Sequence, residues 1–572
     1  MSRSRRVAVA VLLLTAAGAG LRFYGLDWGA PYHHFHIDEH FVFAGALELR
    51  TDFWNAGQAP KFFMYSPLPM YALIGLMEVR EWFASPLDLT GLRDGVTFMV
   101  MGRAISAAAG TATIPLVFLI GRRVAGPAAG VIAAALLAVA PLHVRDSHFF
   151  SVDASLTFFG TLTWYLAIRM AAAGRLRDYV LAGVAFGGAV LSKYSAAFLA
   201  AVLGVAHLVA PGRVRWPGTP AAWARWAMIG ALPGVVGVVT FFALDPHVVI
   251  HYEKFRQDLA DWVTQPLTGT QQFVWAGHFT GIQPQAFWFT NLLFWGLGPA
   301  FEVWALAGVV WLAFRRQPLS WVALAFPLAY WASAGQTTLP FARYAMPLMP
   351  ALSVTAAVLS ADLLARPRAR RLAIAATAVV IGSTTFYTLA YMNIYRAQDA
   401  RLAASEYLIE RLPAGASILV EPSHNIPPTG DYLTSPDFHG DYVLWGAESE
   451  RVDHFRLIAL DTYRYLYNPG PSEEEKRAYI ERRLAMADYI VMDDTYLQFY
   501  APLSRERHGA VKDYYDRLFS GRTDFQLLET FKVYPKLAGV EIDDDAAELS
   551  FRLFDHPRVF VFMRTRRGGP GS

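Results

Sequence analysis

Apolar runs long enough to cross a bilayer recur along the first 395 positions, separated by arginine-bearing breaks, and none occurs after them. A helix needs roughly 20 mostly apolar residues to cross about 30 Å of hydrocarbon. About eleven runs fit, near 7–26, 100–121, 125–142, 152–170, 178–193, 195–211, 226–244, 289–313, 319–335, 343–362 and 372–391. The fifth is short, and the break at Ser192-Lys193-Tyr194 also suits one helical hairpin dipping from a single side. With Arg3, Arg5 and Arg6 cytoplasmic, alternate breaks hold Arg122 and Arg123; Arg169, Arg175 and Arg177; Arg213, Arg215 and Arg225; Arg315 and Arg316; and Arg366, Arg368, Arg370 and Arg371. All of these fall inside, as the positive-inside rule requires. The first run reads as a retained anchor, because cleavage after it would spoil the alternation of the later loops.

An odd number of spans leaves three segments on the outer face: residues 27–99, residues 245–288, and everything after about 395. The last differs in kind. It is rich in Asp, Glu, Tyr and Pro, with candidate strands at 417–421, 489–492 and 558–564 and helical patterns at 403–412 and 472–487. The expected fold class is therefore a polytopic α-helical membrane protein, residues 1–395, with a C-terminal soluble α/β extracytoplasmic domain, residues 396–572.

Composition agrees. Of the 572 residues 54% are hydrophobic and 17% charged, and mean hydropathy is +0.29; an ordinary soluble enzyme carries about a quarter charged residues. The net charge of +3 is spread as isolated arginines between apolar runs, without a basic block beside stacking aromatics, so nucleic acid is not an expected partner. The absence of cysteine excludes disulfides, thiolate metal sites and cysteine nucleophiles. Abundant alanine and the excess of arginine over lysine suit GC-rich bacterial coding.

The most informative stretch follows the first run: Tyr32-His33-His34-Phe35-His36-Ile37-Asp38-Glu39-His40. Acids there sit at the water interface and would face a lipid-linked substrate. The plain alternative is that Asp38 and Glu39 merely favour the exposed amides at the start of a short interfacial helix. Four histidines in eight residues supply metal-donor atoms, but their spacing matches no standard zinc pair. Lys61 and Tyr65-Ser66-Pro67-Leu68 lie further along the same loop. Asp153 opens the fourth run, where an ionisable group is costly unless it lines a polar cavity, finds a partner or caps the helix. Lys193 and Arg343-Tyr344 are cations on the outer side, which the positive-inside bias otherwise leaves nearly bare.

In order along the chain, these residues resemble the dolichyl-phosphate-mannose protein mannosyltransferase-like glycosyltransferases, family 39, of the GT-C fold. His36-x-Asp38-Glu39 resembles the family's acidic motif, with Ile37 where the family usually has proline. Tyr65-Ser66-Pro67-Leu68, Arg103-Ala104-Ile105-Ser106, Asp153, Lys193-Tyr194, Trp295-Gly296-Leu297-Gly298-Pro299 and Arg343-Tyr344 with Pro347 and Pro350 continue the likeness over about 1–395, and Phe551 to Pro557 resembles the C-termini of some bacterial members. The resemblance implies transfer of a sugar from a polyprenyl-phosphate donor to a protein, lipid or glycan acceptor on the outer face of a bacterial cytoplasmic membrane. An acceptor hydroxyl must lose its proton as it attacks, so one carboxylate serves as base. The phosphate leaving group needs cationic stabilisation and no acid, unlike the alkoxide that a glycosidase expels. Direct displacement inverts the anomeric carbon.

The assignments implied are Asp38 as base, Glu39 as its orienting neighbour or a metal contact, and Asp153 as a second acid or the alternative base. Lys193, Arg343 and Lys61 are implied for the donor phosphate, and His36, Tyr65 and Tyr344 for the acceptor or loop. A divalent metal ion is left open, and no other cofactor is called for. Membrane lipids are the remaining partner. The alternative function is a transporter or flippase of lipid-linked sugars, which would show repeated halves and mid-membrane ionisable groups.

Overall fold

The computed structural model describes residues 2–30, 36–52, 63–87, 92–211, 218–265, 274–421, 455–462, 465 and 471–565. Helices occupy each of the apolar runs. The first, Arg3–Phe23, starts at Ser2, whose hydroxyl accepts the Arg5 N–H. Leu92–Ala138 is two helices. Gly126, at a φ of 88°, turns the chain, and Gly130 returns against the Phe118 backbone, so the halves run antiparallel.

Leu176–Ser192 and Leu199–Val209, joined by Lys193 and the short turn Tyr194–Phe198, form a hairpin. The Tyr179 hydroxyl lies 2.9 Å from His207 Nδ1 across the open end, which puts Lys193 at the tip.

The single span expected over 289–313 is instead broken. Pro284–Leu297 and Pro299–Arg315 meet at 120°, with Gly298 at a φ of 82° making the corner and Pro299 starting the next helix where no N–H is needed.

Length and apolarity alone suffice for bilayer crossing in four helices among the described residues, Ser4–Phe23, Asp94–Ala138, Pro220–Leu244 and Arg370–Arg411, with the bent pair as a fifth. The other runs form helices that fall short of that measure. Leu348–Leu364 shows why some do: residues 348–361 are buried throughout, so this helix is enclosed by its neighbours rather than by lipid.

Two ends of the bundle differ in chemistry. At one, Arg315 donates to the Val124 carbonyl at 2.9 Å and pairs with Asp362 at 3.2 Å, and Arg123 stacks over Tyr165. This end gathers arginine breaks that the sequence places inside. The opposite end gathers residues 24–30, 36–40, 143–153, 193, 245–258 and 335–347. There, in the helix Tyr252–Leu259, Asp258 accepts the Phe63 N–H at 3.0 Å, tying one predicted outer loop to the other.

After Arg370–Arg396 the chain continues through Ala400–Arg411, capped by Asp399, into a mixed five-stranded sheet. Its strands are β1 (Ser417–Val420), β2 (Arg456–Ala459), β3 (Tyr489–Asp493), β4 (Phe525–Phe531) and β7 (Val559–Arg564), in the order β2-β1-β3-β7-β4. β1 runs parallel to β2 and β3, while β7 is antiparallel to β3 and β4. A small hairpin, β5 (Lys536–Leu537) and β6 (Val540–Glu541), precedes the helix Leu549–Leu553. Glu473–Met486 begins with a reciprocal Ser472–Glu475 cap. The sheet does not have a wholly separate core. One continuous apolar cluster runs from the bundle through Tyr391 and Tyr395 to Phe551, Phe554 and Ile490.

Candidate functional site

Three acids, two of them adjacent in one helix and the third on another, meet three cations at this end. Asp38 lies in the first turn of Ile37–Asp52. Its Oδ2 is 3.0 Å from Arg343 Nε, and its Oδ1 accepts the Tyr65 hydroxyl at 2.8 Å. Glu39, one position on, turns into the bundle, where both of its oxygens take Arg103 at 2.9 Å and one also accepts the Phe150 N–H at 2.8 Å. Arg103 spends its remaining donors on the carbonyls of Leu26 and Trp28. Asp153, just inside Val152–Ala173, accepts Lys193 Nζ at 2.8 Å. Of the roles open to Asp153, the helix cap is not the one it fills: Ser151 holds the N-cap position, without a side-chain cap bond, and the Asp153 Oδ2 is buried without a hydrogen-bond partner among the described residues.

Tyr344 joins two of these pairs. Lys193 Nζ stands 4.5 Å above its ring and the Arg343 guanidinium 5.4 Å from it, while its carbonyl accepts the Tyr330 hydroxyl at 2.6 Å. The fold thus brings Asp38, Tyr65, Arg343, Tyr344, Lys193 and Asp153 into one connected group.

Exposure sorts the pairs. Arg103 and Glu39 are 1% and 0% exposed, whereas Arg343 and Lys193 keep 17% and 25%. The first pair is sealed, and the other two present a cation to whatever enters. Burial, reinforced by Asp38, pushes the Tyr65 hydroxyl well above its ordinary range, so it stays protonated and donates.

His36 supports this group from behind. Its Nδ1 accepts the Asp38 N–H at 3.1 Å, and its ring lies between Phe149 and Phe554 at centroid distances of 4.6 and 4.2 Å. Lys61, His33 and His34 lie outside the described residues. Among the described residues no three His, Asp or Glu side chains converge where a metal ion would sit. The carboxylates of this group are matched to arginine and lysine.

The sequence did not reveal a second charged cluster behind the first. Arg145, on the turn after Pro141, is 1% exposed; it pairs with Asp146 at 2.6 Å and Asp555 at 3.3 Å and donates to the Ser550 carbonyl at 2.7 Å. Asp555 also accepts the Tyr391 hydroxyl at 2.9 Å and the Tyr395 hydroxyl at 3.2 Å. His556 lies between Asp555 and Asp544 at 2.6 and 2.9 Å. The available signal was Arg145-Asp146 in an outer turn otherwise poor in charge.

The chain is similar over residues 95–241, about a quarter of its length, to the family described as dolichyl-phosphate-mannose-protein mannosyltransferase. That stretch carries Arg103, Asp153 and Lys193. Among solved structures it resembles the archaeal oligosaccharyltransferase AglB from Archaeoglobus fulgidus, in complex with an inhibitory peptide and a dolichol-phosphate. The TM-score is 0.50 at 14% identity, over 89% of this chain and 72% of that one. ArnT from Cupriavidus metallidurans bound to undecaprenyl phosphate matches with a TM-score of 0.47 at 16% identity, over 86% and 95% of the two chains. The S. cerevisiae Pmt1-Pmt2 complex bound to its sugar donor matches with 0.34 at 18% identity, over 45% and 35%. No curated protein matches in sequence. The fold is of the GT-C class, and with the family match it supports a GT-C-fold glycosyltransferase.

Two outcomes follow from this geometry. Glu39→Gln leaves Arg103 buried without a counter-charge, so thermal unfolding in detergent should show a loss of about 3–5 kcal/mol, and Glu39→Leu combined with Arg103→Met should recover much of it.

Burial alone would lower His556, but Asp544 and Asp555 outweigh it and hold it at about 9. A histidine raised in the folded state stabilises fully below its unfolded value of about 6.5, and that contribution disappears as pH rises through the folded value. The melting temperature should therefore fall more steeply between pH ~7 and ~9 than in His556→Gln. Parallel curves for the two proteins would refute this.

Proposed function

We propose that the protein transfers a sugar from a polyprenyl-phosphate-linked donor to an acceptor on the outer face of the cytoplasmic membrane, with inversion and with Asp38 as general base. The observation that carries the reading is the Asp38–Arg343 pair standing beside Asp153–Lys193 at one end of the bundle, each with a partly exposed cation. The family match and the fold shared with AglB, a structure holding a dolichol-phosphate, support a lipid-phosphate donor.

Arg343 and Lys193 receive the donor phosphate, drawn from the carboxylates they hold at rest. As Arg343 leaves, the Asp38 carboxylate is released from its ion pair. It then takes the acceptor hydroxyl proton while the acceptor oxygen bonds the anomeric carbon and the bond from that carbon to the phosphate oxygen breaks. The electron pair leaves on the polyprenyl phosphate, whose added charge the two cations stabilise. Tyr65 orients Asp38, Tyr344 spaces the two cations, and Glu39 fixes the loop by holding Arg103. Asp153 sets the position of Lys193. No step runs through a metal. A transporter is not favoured, because the charged groups cluster at one end and no repeated halves are present in the sequence.

In this reading the N-terminus is cytoplasmic and residues after about 395 lie outside. External protease on intact spheroplasts should cut within that region, whereas a reporter fused after Arg371 should read as cytoplasmic; cleavage only after lysis would reverse the orientation.

The base assignment has its own check. Asp38→Asn should lower transfer about a hundredfold or more while leaving donor binding intact. Arg343→Gln and Lys193→Met should weaken donor binding. A folded Asp38→Asn protein at near-normal rate, alongside an inactive Asp153→Asn, would move the base to Asp153.

A further inference from the structure

Residues 548–557 reach the neighbour of each member of the Asp38–Arg343 pair from the far end of the chain. On the Asp38 side, the Phe554 ring packs 4.2 Å from that of His36, and Phe149 packs on it as well. His36 Nδ1 accepts the Asp38 N–H at 3.1 Å. Burial first, then Arg343 and Arg145, holds His36 well below its ordinary value, so the ring is neutral and its Nδ1 lone pair is free to accept. On the Arg343 side, Glu548 Oε2 accepts the Ala342 N–H at 2.8 Å, and Ser550 Oγ lies 3.3 Å from the same nitrogen.

The segment is anchored independently of these contacts. Asn291 clamps its start, accepting the Glu548 N–H at 2.7 Å and donating to the Ala546 carbonyl at 2.9 Å. His278 lies 3.1 Å from Glu548 Oε1. Arg401 donates to the Phe554 carbonyl at 3.0 Å, and Arg145, Tyr391 and Tyr395 converge on Asp555. A rigid element that touches residue 36 through one side chain and residue 342 through another fixes the distance between Asp38 and Arg343. Among the described residues no hydrogen bond or ion pair joins its side chains to either member of the pair, so its hold on them runs through residues 36 and 342.

We propose that residues 548–557 form a positioning element for the transfer reaction, in which Phe554, through His36, and Glu548, through Ala342, set Asp38 in register with Arg343. The inference rests on Asp38 acting as the base. It makes the C-terminal region part of the machinery for bond formation. A shift of about 1 Å at a reacting group is worth up to a hundredfold in rate, so loosening the register should lower kcat and leave donor affinity intact.

The experiment uses the full-length protein with Phe554→Ala, Phe554→Leu, Glu548→Ala and Glu548→Gln. Hydrogen exchange is read by mass spectrometry on peptides covering residues 36–44 and 339–346, alongside kcat and donor KM. Phe554→Ala should speed exchange in the first peptide, and Glu548→Ala in the second, by about tenfold. Each should lower kcat about tenfold or more at unchanged donor KM. Phe554→Leu, which keeps the volume, and Glu548→Gln, which keeps an acceptor for Ala342, should recover much of both readouts and serve where an alanine variant fails to fold. In an Asp38→Asn background Phe554→Ala should cost nothing further, because the base it positions is gone.

Unchanged exchange, or faster exchange with kcat intact, overturns the proposal, as does a full additional loss in the Asp38→Asn background. Exchange that responds as described in a protein whose transfer rate is indifferent to Asp38→Asn overturns the assignment of the base and supports the mechanical coupling.

Discussion

Charge in a low-dielectric interior must be matched, and that constraint organises the functional end of this protein. Arginines 103 and 145 are buried in a bundle whose surroundings are mostly apolar, where an unmatched ion costs several kcal/mol. Each is matched by a carboxylate distant in sequence: Arg103 by Glu39, 64 positions away, and Arg145 by Asp555, 410 positions away. Those two pairs fix the first outer loop and the last part of the chain against the same helices.

The same physics acts differently where water can enter. Arg343 and Lys193 pair with Asp38 and Asp153 yet remain partly exposed, so an entering phosphate can compete for them. Sealed pairs give the site its shape, and accessible pairs give it exchangeable charge. Tyr344, with a cation near its face from either side, lets both stand close without a carboxylate between them.

The mixed sheet and the bundle share one apolar core, and the contact between them is chemically specific. Tyr391 and Tyr395 extend from a bundle helix to Asp555, and Phe551 packs against Tyr391 at 5.5 Å. The C-terminal region is thereby an integral wall of the site. Its strands β1 and β3 are completely buried over most of their length, as expected of strands covered on both faces.

The sequence by itself determined what depends on local pattern. Apolar runs specify where helices form, since burying or lipidating that surface is the only favourable outcome, and period-two and helical patterns placed strands at 417–421, 489–492 and 558–564 and helices at 403–412 and 472–487 near their observed positions. The candidate acids and cations were legible because charge beside apolar runs is conspicuous. Tertiary structure alone decided which charges meet. Nothing local distinguishes Asp38 from Glu39, yet adjacent positions on a helix point about 100° apart, sending one carboxylate to the accessible Arg343 and the other to the sealed Arg103. The bend at Gly298 and the docking of Phe554 on His36 were equally hidden, because a corner between helices and a contact across most of the chain are set by how the elements pack.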